Sequence, residues 1–212
     1  NHMPKTAYIG YTATPFANVL IDQESFAGLN LYPVDFIYHL PKPKDYFGPS
    51  DIFGRDRTSS EEEDADLGGK NMFREVPVAD VQKLRPLRQN LVPTFLPQNT
   101  ESLNQACYYF WVSTAAKIAR MGNSVHTTMF IHTHVRFLMH ERTYDLVDKV
   151  KELTLSQINN SNSNFLLDLK KMWEEESSKV PSAENERHIP FSEIQPLLKN
   201  VIKRTEVVQK NT

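Results

Sequence analysis

The sequence predicts an α/β layered protein, a parallel sheet flanked by long helices with a proline-rich irregular insertion. Short β-rich runs occur at residues 7–11 (AYIGY), 35–40 (DFIYHL), 125–132 (VHTTMFIH) and 205–209 (TEVVQ). Long stretches with helical spacing separate the later runs, and strands alternating with such helices build layered sheets. AYIGY reads as a strand buried on both faces, and 125–132 is brief and β-rich enough for an inner strand of a parallel sheet.

The first strand stops at Thr12-Ala13-Thr14-Pro15. Pro15 pushes Thr14 into an extended conformation and carries a φ suited to a helix's first turn, so Thr14 is expected to cap a helix over 15–21. The Thr12 hydroxyl is then left at the carboxyl end of a strand, the edge where open α/β sheets bind ligands. An ordinary strand-to-helix cap is the other reading of these residues.

After the strand at 35–40, Pro41, Pro43, Gly48, Pro49 and Gly54 break any regular pattern. Residues 55–70 are polar and include Glu61-Glu62-Glu63-Asp64, the mark of a solvated loop; spaced cation ligands are missing. Four prolines keep 71–98 irregular, apart from one short helix near Asp80 to Leu84. Thr100 then caps a long helix. Its apolar positions run from Leu103 through Ala106, Cys107, Phe110, Trp111, Thr114, Ala115 and Ile118 to Ala119, and Gly122 ends it.

A second long helix is expected from Phe137 to Ile158, with Leu138, Tyr144, Leu146, Val147, Val150, Leu153 and Leu155 on its apolar face. Asn159 to Asn164 is a turn. Helices follow at 165–177 and 191–202, the latter weakened or kinked by Pro196, and the strand at 205–209 closes the pattern.

Composition sets limits. The 212 residues carry a formal charge of −2, so a nucleic-acid contact would need a local basic patch rather than a general field. Cys107 is the one cysteine and lies among apolar residues, which fits a buried hydrophobe in a reducing compartment. No apolar run approaches the ~20 residues of a membrane span and no signal-peptide pattern opens the chain, so a cytoplasmic location is expected. Asn1-His2-Met3 reads as a cloning scar, which suggests a piece of a larger polypeptide.

The stretch Tyr8-Ile9-Gly10-Tyr11-Thr12-Ala13-Thr14-Pro15-Phe16-Ala17-Asn18 resembles the start of the Z-one domain, a family to which an endonuclease activity is ascribed. It is also similar to the third motif of superfamily-two helicases. Further matches follow in the same order: FIYHLPKPKDYFG from Phe36, LPQNTESLNQACYYFWVSTAAKIARMG from Leu96, and TTMFIHTHVRFLMH from Thr127, which is similar to the fourth helicase motif.

The resemblance implies a partial RecA-like sheet of the helicase type. Residues 4–40 would end a first lobe, 41–99 would be the insertion, and 100–212 would begin a second, truncated lobe. It implies a helicase-like ATPase acting on DNA in a bacterial restriction or defence system. Thr12, Ala13 and Thr14 would couple nucleotide state to strand binding, because small hydroxyls switch hydrogen-bond partners easily. His132, Thr133, His134 and Arg136 would face a nucleic-acid backbone at a helix start.

ATP and magnesium are implied for the parent protein and not for this chain, which has no Gly-x-x-x-x-Gly-Lys-Ser/Thr loop and stops before an arginine-bearing segment; no catalytic residue is assigned in it. An interaction module that recruits a partner ATPase or nuclease subunit through the insertion is the alternative, and a metal-dependent endonuclease the third.

Several residues have plainer readings. His126, His132, His134 and His140 match no zinc spacing, so no metal site is expected. Asp168-Leu169-Lys170 resembles a nuclease Asp-x-Lys pattern, but it falls within a helix as part of its wet face. Tyr108 to Trp111 cannot all face one way on a helix, so Phe110 and Trp111 are assigned to the core and one tyrosine to an interface rather than to a base-stacking platform.

Overall fold

A computed structural model describes residues 9–14, 37–44, 46–54, 68–122, 126–179 and 187–210. The chain divides into two compact units, Asn1–Gly48 and Pro49–Thr212. The predicted helix over 15–21 and the acidic run at 61–64 lie outside the described residues.

The second unit is helical. Its helices are α1 (Pro49–Phe53), α2 (Val78–Leu84), α3 (Glu101–Met121), α4 (Phe137–Asn159), α5 (Ser163–Ser178) and α6 (Phe191–Arg204), with a 3₁₀ turn at Gln89–Leu91. The α3 boundaries follow from capping chemistry. Thr100 Oγ1 accepts the Leu103 N–H at 3.2 Å, Gly122 adopts φ 87° beyond the last turn, and its N–H returns to the Ile118 carbonyl at 2.8 Å. Asp80 from α2 adds a second cap, accepting the Ser102 N–H at 3.1 Å and its hydroxyl at 2.5 Å. The turn between α4 and α5 places Ser161 at φ 50°, and Asn162 then caps α5 by accepting the Phe165 N–H.

The core forms around α6, whose stripe of Phe191, Ile194, Leu198, Val201 and Ile202 is buried against α3, α4 and α5. Pro196 lies inside that helix on its exposed side, and the helix runs through it to Arg204. From α3 come Leu103, Cys107, Trp111, Val112, Ala115 and Ala116; from α4, Leu146, Val147 and Val150; from α5, Leu169 and Trp173. Trp173 Nε1 donates to the Ile189 carbonyl at 2.8 Å, holding the approach to α6 against α5.

Two predicted faces shift. On α4 the buried stripe is Met139, Thr143, Leu146, Val147, Val150 and Thr154, while Tyr144 and Leu153 face solvent. Ala106 of α3 is also exposed. Phe110 packs at the edge of the core and Trp111 within it; Tyr108 rests on Trp111 and meets Phe165 edge-on at 5.3 Å.

The RecA-like parallel sheet is not formed: among the described residues there is no strand, and β pairing is limited to one isolated bridge between Gly54 and Gly68. The physical reason differs by segment. In the runs at 7–11 and 35–40 the described residues Ile9, Tyr11, Ile37, Tyr38 and Leu40 are exposed, contrary to the strand at 7–11 expected to be buried on both faces. At 126–132 and 205–209 burial does alternate residue by residue, with Met129, Ile131 and Val207 packed on the helical core and Phe130 and Val208 outward. These segments have the period of strands, but among the described residues no ladder of backbone hydrogen bonds joins them to a neighbour, and propensity without pairing does not make a sheet.

Candidate nucleic-acid interface

The segment from His132 to Arg136 leads into α4, and its geometry follows from how that helix begins. Arg136 is the N-cap residue with extended φ and ψ, and its side chain caps nothing. Its carbonyl accepts the N–H groups of Met139 and His140. The N–H groups of Phe137 and Leu138, one turn too early for an intrahelical acceptor, have no described partner. The first turn of α4 carries no acidic residue.

Side-chain donors gather at this end. The Arg136 N–H donates to His134 Nδ1 at 3.0 Å, so the neutral His134 ring carries its proton on Nε2, as a donor. His140 Nε2 bonds the His134 carbonyl and closes the turn. Thr133 Oγ1 lies 3.3 Å from Oγ1 of the buried Thr143, which fixes the threonine against α4. Arg136 Nη2 reaches Gln89 Oε1 at 3.3 Å and remains exposed. His132 stacks on Phe130 with ring centroids 5.8 Å apart and meets His140 edge-on at 5.5 Å.

The structure thus places His132, Thr133, His134 and Arg136 in one turn. Thr12, Ala13 and Thr14 belong to the other unit, where all three are exposed and the Thr14 N–H donates to Thr12 Oγ1 at 3.0 Å. That bond is a local hydroxyl turn of the kind threonine favours.

A hydroxyl, an imidazole N–H, a guanidinium and two early-helix N–H groups fall within residues 133–138, a stretch with no carboxylate. Such a set suits an anionic oxygen, in particular a phosphodiester, because it combines charge with the positive end of a helix. It does not suit a cation. Among the described residues no group of three or more His, Cys, Asp or Glu is arranged to hold a metal ion. Asp168 and Lys170 are exposed on α5, where Lys170 pairs with Glu174 at 3.7 Å as an ordinary i,i+4 contact.

Sequence reasoning missed two supports of this corner. Arg142 on α4 donates to the carbonyls of Val92 and Pro93, both at 2.9 Å, and to that of Phe95, tying the irregular segment 92–95 to the helix. Gln89 then reaches Arg136 from the same stretch. Carbonyl acceptors carry no side-chain identity, so no residue pattern could have announced the Arg142 anchor. The proline content of 71–98 pointed to irregular chain without saying where it docks.

Among the described residues no helix is long and apolar enough to cross a membrane. A family model described as the Z1 domain matches residues 102–212, from the first turn of α3 to the C-terminus; the Thr12–Thr14 stretch lies outside the match. No curated protein and no solved structure matches the chain.

Proposed function

The chain belongs to the Z1 domain family, and from that premise we propose that it is a DNA-contacting module of a helicase-like, ATP-dependent system in bacterial restriction or defence. One observation supports the DNA contact most directly. The start of α4 gathers Thr133, His134 and Arg136 around two unpartnered backbone N–H groups with no acid in the first turn. These donors would grip a phosphate oxygen and set the register of the strand without reading its sequence.

ATP and magnesium are assigned to other parts of that system. The 212 residues contain no phosphate loop, and the described residues offer no cluster of acids for a magnesium ion. Thr12, Ala13 and Thr14 keep their proposed role as a coupling element in contact with that machinery.

The test is a titration of a labelled duplex, followed by fluorescence anisotropy over a series of salt concentrations. Binding should weaken as salt rises, and Arg136→Ala should weaken it about 3–10-fold and lower the magnitude of the log–log slope by about 1. Thr133→Val should weaken it with the slope unchanged, since it removes a neutral donor. No binding at low salt, or an identical slope for the arginine variant, defeats the reading.

A second reading has its own observation. Phe53 and Phe73 stack with centroids 4.4 Å apart and, with Met72, leave an exposed apolar patch in the insertion. Such a patch suits a protein partner, for example an ATPase or nuclease subunit. Phe73→Ser would then leave DNA binding unchanged and abolish co-purification with that subunit.

A further inference from the structure

Acidic residues are unevenly spread along the chain. Of its 26 Asp and Glu, residues 81–140 hold one, Glu101, against the cations Lys83, Arg85, Arg88, Lys117, Arg120 and Arg136. A formal charge of −2 therefore conceals a long basic run, and a local basic patch is what such a chain needs to meet a nucleic acid. Glu101 itself is engaged at the start of α3, where it accepts from Gln105 Nε2 at 3.1 Å.

The fold carries part of this run to the start of α4. The chain between α2 and α3 is a loop closed at its base by the Gln98 N–H, which donates to the Lys83 carbonyl at 2.9 Å. Further along, Arg142 of α4 holds the carbonyls of Val92 and Pro93, both at 2.9 Å, and that of Phe95. Between these ties in sequence, Gln89 Oε1 accepts from Arg136 Nη2 at 3.3 Å. The residue before Gln89 is Arg88, which enters the 3₁₀ turn with extended φ and ψ, and Arg85 has the same backbone form at the end of α2. Pro86 is buried between them, while both arginines are exposed. Three residues of chain span at most about 10 Å, close to three steps of one DNA strand at about 3.4 Å of helix axis per charge.

Cations gathered without acids repel one another, so their charge calls for a partner outside the chain. Arg74 and Arg187 show the internal alternative, pairing with Glu176 and Glu193. Among the described residues the Arg85 and Arg88 side chains have neither a hydrogen bond nor an ion pair. The hydrogen bonds from Arg142 go to the backbone of their loop and leave these two guanidinium groups open. A polyanion with charges repeated along its length supplies what is missing, and a phosphodiester backbone is such a polyanion.

We propose that Arg85 and Arg88 form a second phosphate contact for the same DNA, beside the one assigned to Arg136, and that Arg142 is the positioning residue that holds their loop against α4. The inference rests on the DNA reading and extends it, because the bound strand then runs from the start of α4 onto the loop and meets several phosphates.

The test follows the 212-residue chain and its variants on a labelled duplex by fluorescence anisotropy over a salt series, with circular dichroism to verify that each variant keeps its helices. Arg85→Ala and Arg88→Ala should each weaken binding about 3–10-fold and lower the magnitude of the log–log slope by about 1, whereas Arg85→Lys and Arg88→Lys should keep the slope. Lys171→Ala, which removes an exposed cation of α5 outside the basic run, should leave binding within about twofold of native. Arg142→Gln releases the loop, so in that background Arg88→Ala should cost less than about twofold.

A purely structural Arg142 would lower Tm and leave the cost of Arg88→Ala whole, which would overturn the positioning role. Native slopes for both alanine variants, with Arg136→Ala still lowering the slope, would overturn the second contact and leave the DNA reading standing. A native chain that binds no duplex at low salt overturns both. Poly-glutamate that displaces the labelled duplex as effectively as unlabelled duplex, at equal charge concentration, would assign the arginines to an acidic protein and overturn the proposal.

Discussion

Trp111 and Trp173 are both buried in one helical core, yet their indole N–H groups face opposite circumstances. Trp173 donates to the Ile189 carbonyl at 2.8 Å, while the Trp111 Nε1–H is buried with no acceptor. Replacing Trp173 with phenylalanine strands a buried carbonyl and should cost about 2–3 kcal/mol in chemical denaturation. At Trp111 the same change removes an unsatisfied donor, which offsets part of the lost packing, and the expected cost is about 1 kcal/mol or less. A reversed order would contradict these hydrogen-bond assignments. Cys107 is inert for a related reason: burial pushes its thiol up to about 11, so it stays protonated and unreactive at neutral pH.

The pair Arg74–Glu176 gives a pH dependence at the same scale. Arg74 donates through Nε to Glu176 Oε1 at 3.0 Å and pairs with the second oxygen through Nη2, and Lys179 adds a contact at 2.7 Å. Hydrogen bonding from Arg74, and then from Lys179, holds the Glu176 carboxyl below the usual glutamate range despite partial burial. Its folded pKa is therefore lower than its unfolded value. The stabilisation is complete above the unfolded value of about 4.3 and is lost as pH falls through the folded pKa. At pH 7, Glu176→Gln should cost about 0.5 kcal/mol, since the arginine is largely exposed, and the gap to the native chain should close in acid.

Helices were legible where short-range chemistry decides them. The Thr100 cap, the Gly122 terminus and the 3.6-residue periodicity of α3 are all local, and the structure reproduces them. The faces were less legible. On α4 two threonines, Thr143 and Thr154, lie in the buried stripe, and Leu153 lies outside it. Hydropathy ranks these residues the other way, but Thr154 satisfies its hydroxyl on the Val150 carbonyl at 2.6 Å and Thr143 on Thr133.

Strands were misread because β-rich composition reports only local propensity, whereas a sheet also needs a neighbour. Residues 126–132 show the first without the second. At this scale the double cap of α3 is the sharpest prediction. Thr100→Ala should cost about 1 kcal/mol. Asp80→Ala should cost less than that if Thr100 remains, and the two together should exceed their sum, because both caps serve consecutive N–H groups at one helix end. Strict additivity in the double-mutant cycle would show the caps to be independent.

At the scale of the whole molecule, the buried apolar side chains among the described residues all fall between Pro86 and Ile202. Those of the first unit, by contrast, leave Ile9, Tyr11, Ile37, Tyr38 and Leu40 exposed. A hydrophobic core supplies most of the free energy of folding, so the second unit carries its own stability. Ile194 and Leu198, fully buried at its centre, would each cost about 2–5 kcal/mol on truncation to alanine. It follows that residues 49–212 alone should melt cooperatively, keep the helical circular dichroism signal per residue of that unit, and show a Tm within about 4 °C of the 212-residue chain. The turn at the start of α4 that we propose contacts DNA belongs wholly to this unit, so DNA affinity should survive the truncation as well. A large fall in Tm would mean that residues 1–48 supply packing to the helical core. Intact stability with lost DNA binding would move the contact to the first unit, where Thr12 and Thr14 would then become the residues to change.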